Sequence, residues 1–159
     1  MYALWLSKNF SEVFAFEPED ENFKILTMNI KLRRRKNIEV LKMAVSDNTG
    51  MGKLYVGEDL FGHSLKSDWC ASAKFRNVKI TSLNSFVKQP VDFVKVDVQG
   101  AAFDVVKGAS EVMSKIKRWI IELEESELNR KLELETLMKS FGYDTLWLSE
   151  QHLYAFRAA

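Results

Sequence analysis

Two carboxylates stand at the ends of apolar runs, where an α/β sheet presents groups to a ligand. The first is Glu17, which closes Val13-Phe14-Ala15-Phe16 and precedes Pro18. The run reads as a buried strand. A carboxylate at its carboxyl end can take both hydroxyls of a ribose with its two oxygens. The alternative is a carboxylate that caps the helix after it. The second is Asp97, in Val91-Asp92-Phe93-Val94-Lys95-Val96-Asp97-Val98, a β-branched run typical of a parallel strand. Open α/β sheets bind ligands at the carboxyl ends of such strands. Lys95 and Asp97 project to one side because strand side chains alternate; the alternative is a structural Lys–Asp pair.

Other groups have weaker claims. Glu122 and Glu124 share one side of the next strand and either reach the same ligand or cap the following element. His63, beside Ser64 in a polar stretch, is a general base by type or a solvated loop histidine. Trp69-Cys70 either line a pocket or fold back onto the core. The basic run Lys31 to Lys36, interrupted by Leu32, suits phosphate or nucleic acid. At the end of a helix it equally complements the dipole.

Elements must position these groups. At 159 residues the chain is expected to be one domain, residues 1–159, with a sizeable core. Hydrophobic content of 47% and charge of 28% fit a soluble globular class. A net charge of +1 gives no global pull toward nucleic acid or membrane. One cysteine excludes an intrachain disulfide and a multi-cysteine zinc site. No apolar run approaches the length of a membrane span, and the N-terminus lacks a secretory pattern, so a cytoplasmic location is expected.

Met1 to Phe10 reads as a helix, and Val13–Phe16 as a strand. Pro18 opens a helix with Phe23, Leu26 and Ile30 on one face. A strand from Ile38 to Val45 leads to the turn cluster Ser46–Gly50. Lys53–Val56 and Val78–Thr81 are short strands on either side of a long loop, Gly57 to Lys74. After the Val91–Val98 strand, Gly100 opens a helix to about Ser114, with Phe103, Val106, Ala109 and Met113 on one face. Arg118–Leu123 is a strand. Leu128–Ser140 is a helix burying Leu134, Leu137, Met138 and Phe141, with Gly142 just past its end. Tyr143–Leu148 and His152–Phe156 flank Ser149-Glu150-Gln151 as a hairpin. Strands alternating with helices imply a parallel sheet with helices on its faces.

In this order, Phe14-Ala15-Phe16-Glu17-Pro18 with Asn22 and Asn29, Ala44-Val45-Ser46-Asp47 with Gly50, Lys95-Val96-Asp97-Val98-Gln99-Gly100, Lys107-Gly108-Ala109 and Ile120-Ile121-Glu122 resemble the FkbM-type methyltransferases. The resemblance covers the chain from Val13 onward. It implies a three-layer, mostly parallel Rossmann-like sheet ending in an antiparallel hairpin. It implies an S-adenosylmethionine-dependent O-methyltransferase acting on a hydroxyl of a small molecule or sugar. Glu17 would hold the ribose, and Ala44 and Val45 would lie near the adenine unless they are ordinary sheet core. Asp97 would face the methyl group and the acceptor. No metal, nucleic acid or membrane is implied.

The chain departs from the family pattern in three ways. It shows no opening strand with an Asp-x-Gly-Ala-Asn-x-Gly type loop, which reads as an N-terminally truncated fold with weakened donor binding. Gln99 and Ala102 stand where the family usually has Glu. Two further readings follow: a remnant that folds or associates without turnover, and a phosphate- or nucleic-acid-binding domain using Lys31–Lys36. Without the opening strand, Val13–Phe16 and Val91–Val98 are expected to close up and pair, with association into a homo-oligomer as the alternative. Glu17 and Asp97 are expected to approach one cleft.

Overall fold

A computed structural model describes residues 2–57, 62–67 and 74–157. The expectations for Trp69 and Cys70 lie outside these residues. The chain begins with α1 (Tyr2–Leu6), β1 (Val13–Phe16) and α2 (Asp20–Leu32). The expected helix over Met1–Phe10 is therefore shorter. The second helix starts at Asp20, not Pro18. Glu19 takes the capping position, its buried carboxylate accepting from the N–H groups of Glu21 and Asn22 at 2.6 and 2.9 Å. Arg76 reaches the other oxygen of Glu19 at 2.7 Å. Two of the orphan donors that every helix start carries are satisfied in this way.

β2 (Ile38–Leu41) and β3 (Ala44–Val45) replace the single strand expected over Ile38–Val45. Their ladders explain the break. β2 pairs in parallel with β1, whereas β3 pairs in parallel with β5 (Phe75–Thr81). The chain changes sheets at Lys42-Met43, where the Met43 N–H bonds back to the Leu41 carbonyl at 2.9 Å. β4 (Gly50–Tyr55) lies antiparallel to β5. Ala44, Leu54 and Val78 form a small buried core beneath this sheet.

The larger core lies under the C-terminal half. After α3 (Leu83–Phe86) come β6 (Val94–Val96), α4 (Ala102–Lys107), β7 (Arg118–Glu122), α5 (Lys131–Ser140), β8 (Asp144–Trp147) and β9 (His152–Phe156). The sheet order is β6-β7-β9-β8, with β6 and β7 parallel and the other pairs antiparallel. The terminal hairpin is present as expected. Alternation sends Val96, Trp119, Ile121, Leu153 and Ala155 into one buried face. Phe103 and Val106 of α4 and Leu134 and Met138 of α5 share this core. The helix expected to run to Ser114 ends at Lys107, although Phe103, Val106, Ala109 and Met113 are all buried as its pattern implied.

In place of one mostly parallel sheet, the described strands form three sheets of mixed sense, with three parallel and three antiparallel pairs. The expected closure of β1 onto β6 does not occur. β1 takes β2 as its ladder partner and β6 takes β7. Aromatic rings span the space instead. Phe14 and Phe16, on one side of β1, both meet the edge of Phe86 at 5.2 and 4.9 Å. Phe10 stacks on Phe93 at 6.0 Å. These contacts tie the first sheet to the main core without a shared ladder.

Two sequence motifs meet in space. Gly108 lies so close to Ser46 and Asp47 that an added Cβ would come within 2.0 Å of the Ser46 carbonyl oxygen. Lys107-Gly108-Ala109 and Ala44-Val45-Ser46-Asp47 are therefore two sides of one backbone contact.

Candidate functional site

The second face of the C-terminal sheet carries the polar groups. Lys95 lies opposite Ile120 in the β6–β7 ladder, and Glu122 lies opposite His152 in the β7–β9 ladder. With an alternation of two, all four side chains share the face turned away from the main core. The Lys95 side chain is 8% exposed. Its ammonium donates to Glu122 Oε2 at 2.7 Å and to the Val96 carbonyl at 3.1 Å. His152 Nε2 lies 3.2 Å from the same Glu122 oxygen. The Lys95–Asp97 pair considered from sequence is thus a Lys95–Glu122 pair. Burial favours a neutral Glu122. The Lys95 ammonium and then His152 outweigh it, and the carboxyl is held below its usual value.

Hydrogen-bond accounting assigns the histidine tautomer. Ser149 Oγ accepts from the N–H groups of Gln151 and His152 at 3.3 and 3.2 Å. Those bonds occupy both its lone pairs. The Ser149 proton therefore goes to His152 Nδ1, 2.9 Å away. In the neutral imidazole this leaves Nδ1 as the acceptor and puts the proton on Nε2, toward Glu122.

Asp97 follows β6 at its carboxyl end, and its charge is felt by two neighbours. Glu124 is raised above the usual carboxylate value by burial, then by the charges of Glu122 and Asp97, against a bond from Gln99. Tyr2 of α1 is raised by burial and by the same two charges. The structure thus brings Asp97, Glu122 and Glu124 together. Glu124 also opens the following 3₁₀ segment in a capping box with Glu127. Gln99 supports Glu124, and Ala102 is fully buried core.

The loop carrying His63 comes to the same strand end. Ser64 is buried, and its hydroxyl donates to the Gln99 carbonyl at 2.5 Å. Lys66 pairs with Asp104 of α4 at 2.6 Å. His63 Nδ1 is buried without a hydrogen-bond partner.

Glu17 belongs to β1's end. Its Oε1 accepts the Glu19 N–H at 3.0 Å, while the capping role considered for it from sequence is taken by Glu19. Burial raises its carboxyl above the usual value. The charge of Glu19 adds to this and the Glu19 N–H opposes it. Ala44 is buried in the small core, and Val45 packs against the larger one. The basic run is an exposed helix end, with Arg34 in a left-handed turn at φ 51°. Among the described residues no group of three or more His, Cys, Asp or Glu could hold a metal ion. No helix among them is long and apolar enough to cross a membrane.

A family profile described as the methyltransferase FkbM domain matches residues 2–145. The chain belongs to the FkbM methyltransferase domain family. The fold agrees. A crystal structure of a methyltransferase FkbM from Methylobacillus flagellatus KT is similar with a TM-score of 0.65 and 17% identity, over 96% of this chain. The chain spans 39% of the length of that structure. No curated protein matches the chain. Members of the FkbM family generally use S-adenosylmethionine.

Sequence reasoning reached Lys95, Asp97, Glu122 and Glu124, and it left Tyr2, Ser149 and His152 unassigned. A signal for His152 exists in the hairpin: once β9 is set antiparallel on β7, Glu122 and His152 are forced opposite each other.

Proposed function

We propose that this chain transfers a methyl group from S-adenosylmethionine to a hydroxyl of a small molecule. The observation that carries this reading is the gathering of Asp97, Glu122 and Glu124 at the carboxyl ends of β6 and β7 in an FkbM-family chain. S-adenosylmethionine supplies an electrophilic methyl group when bound. The protein's own part is to orient the acceptor and receive its proton. Asp97 is the residue we place beside the acceptor hydroxyl. Glu124, whose carboxyl is raised, is a second proton acceptor in reach of the same charges.

The donor's ribose fits Glu17. One carboxylate oxygen takes the Glu19 N–H, and Oε2 carries no bond among the described residues. Ribose hydroxyls donating to that oxygen would favour the charged form and offset burial. The Ala44–Val45 strand end is our candidate for the adenine side. Its side chains are committed to packing, so the backbone would make the contact.

The test is calorimetric titration with S-adenosylmethionine, followed by methyl-transfer assays on a panel of hydroxylated compounds. Glu17→Gln should weaken donor binding, and Asp97→Asn should abolish turnover with donor binding intact. A second reading, a fold without turnover, draws on Gln99 and Ala102 in place of the family's acids. It predicts no methylated product from any compound of the panel, even where the donor binds. Methyl transfer to one member of the panel would remove it.

A further inference from the structure

A cavity of about 600 Å³ opens between α1 and the polar face of the β6-β7-β9 sheet. Its size lies in the range of small-molecule pockets, about 300–1,000 Å³. Tyr2 and Trp5 form its roof, Phe93 and Ile120 its floor, and Leu148 its lip. Lys95, Ser149 and His152 line its polar end. Tyr2, Trp5 and Leu148 are 49%, 61% and 54% exposed, so large apolar surface faces an open space. Three aromatic rings around one cavity suit a flat ring, which stacks on them edge or face.

The polar end selects the ligand's functional group. Ser149 and His152 satisfy each other, and His152 Nε2 is turned to Glu122. Lys95 uses two of its three N–H groups on Glu122 and Val96. Its Nζ lies 5.0 Å from the Tyr2 ring centre. The remaining ammonium proton is the donor left for a ligand oxygen. Glu122 already neutralises the Lys95 ammonium at 2.7 Å, so the polar end offers an anion no unpaired cation. A sugar would leave several hydroxyls unpaired against the apolar walls.

We infer that this cavity binds an uncharged aromatic alcohol, its ring between Tyr2, Trp5 and Phe93 and its hydroxyl oxygen at Lys95. The inference deepens the methyltransferase reading by naming the acceptor class, since Lys95 at the cavity's polar end is paired at 2.7 Å with Glu122 of the candidate site. The binding itself does not depend on that reading.

The probe is 2-naphthol, titrated calorimetrically into the whole chain without donor, beside 2-naphthoate and methyl glucoside. We expect 2-naphthol to bind about tenfold or more tightly than either comparator. Ile120→Trp fills the floor and should weaken 2-naphthol binding by about tenfold. Leu148→Asp, at the exposed lip, guards against a folding failure and should do the same with an unchanged circular dichroism spectrum. Equal binding of 2-naphthoate or the glucoside would overturn the inference, as would no binding at all or full binding by a folded Ile120→Trp. So would a dimer that blocks 2-naphthol and dissociates in Leu148→Asp, because a second copy would then own the surface. Donor binding without 2-naphthol binding would sink this inference and leave the methyltransferase reading intact. The reverse pattern would sink the reading and leave the cavity.

Discussion

The Lys95 ammonium reaches Glu122 on a diagonal: Lys95 lies opposite Ile120, yet its ion pair at 2.7 Å is with the residue two places further along β7. The diagonal leads toward the carboxyl ends of both strands. There it neutralises one of three clustered acids and leaves the net charge of the site negative. Removing one partner of a buried pair costs about 3–5 kcal/mol. Glu122 is 22% exposed, so Lys95→Met should cost nearer about 2 kcal/mol by urea denaturation. Adding Glu122→Leu should restore part of this, because the strand then buries no unpaired charge. A double variant as unstable as the sum of the singles would mean the pair contributes nothing.

Glu124 makes the opposite contribution. Its folded-state carboxyl is raised above 4.5 by burial and by Glu122 and Asp97. Its contribution to stability is therefore full below the unfolded value and is lost as pH rises through the folded value. Glu124→Gln keeps a capping oxygen and removes the repulsion. The variant should be more stable than the parent at pH 7, and the difference should vanish as pH falls toward 4.5. Glu122 runs the other way. Its lowered carboxyl stabilises the fold above the unfolded value, and that gain is lost as pH falls through the folded one. Urea midpoints across pH 4 to 7 for the parent, Glu124→Gln and Glu122→Gln would separate the signs.

Much of this face was legible in the sequence and some of it was not, for physical reasons. Alternation alone puts Lys95 with Asp97 and Ile120 with Glu122. The Ser149-Glu150-Gln151 turn announces the hairpin. Neither tells which strand receives the hairpin, so His152 could not be set beside Glu122. A continuous apolar run cannot reveal that Ile38–Val45 serves two sheets, because both sheets want the same residues. Tyr2 reaches the site only through the docking of a five-residue helix, a tertiary event with no local pattern. Asn37 holds that docking by donating to the carbonyls of Ser7 and Phe10 at 2.9 and 2.8 Å. The expected closure of β1 onto β6 is replaced by ladders of β1 with β2 and of β6 with β7, and Phe10, Phe14 and Phe16 have ring partners.

The tautomer of His152 is open to direct measurement. Long-range proton–nitrogen spectra at pH 8 should show the Nε2–H form, since Nδ1 accepts from Ser149. Ser149→Ala frees Nδ1 and removes the acceptor for the Gln151 and His152 N–H groups. The hairpin should lose about 1 kcal/mol, with a larger share of the Nδ1–H form. A dominant Nδ1–H form in the parent would refute the accounting.

Gly108 offers the sharpest test of how the two sheets meet. Its backbone is ordinary right-handed helix, so no special φ requires glycine there. Space requires it. A Cβ would lie 2.0 Å from the Ser46 carbonyl oxygen and 3.0 Å from the Asp47 Cα. Both are backbone atoms and cannot swing aside. On the other side, the Gly108 carbonyl accepts the Asn84 N–H at 2.7 Å, which fixes α4 against α3. The loss of unfolded-state freedom alone would make Gly108→Ala stabilising by about 0.4–1 kcal/mol. The clash should win, as overpacking costs about 1–3 kcal/mol, and α4 would have to move away from the turn after β3. We expect a net loss of about 2 kcal/mol in urea denaturation. We also expect chemical-shift changes at Ser46 and Asp47 that exceed those at the C-terminal hairpin. A variant as stable as the parent would mean that α4 and the Ser46–Asp47 turn are further apart than described. The shared contact of the two sequence motifs would then lose its structural meaning.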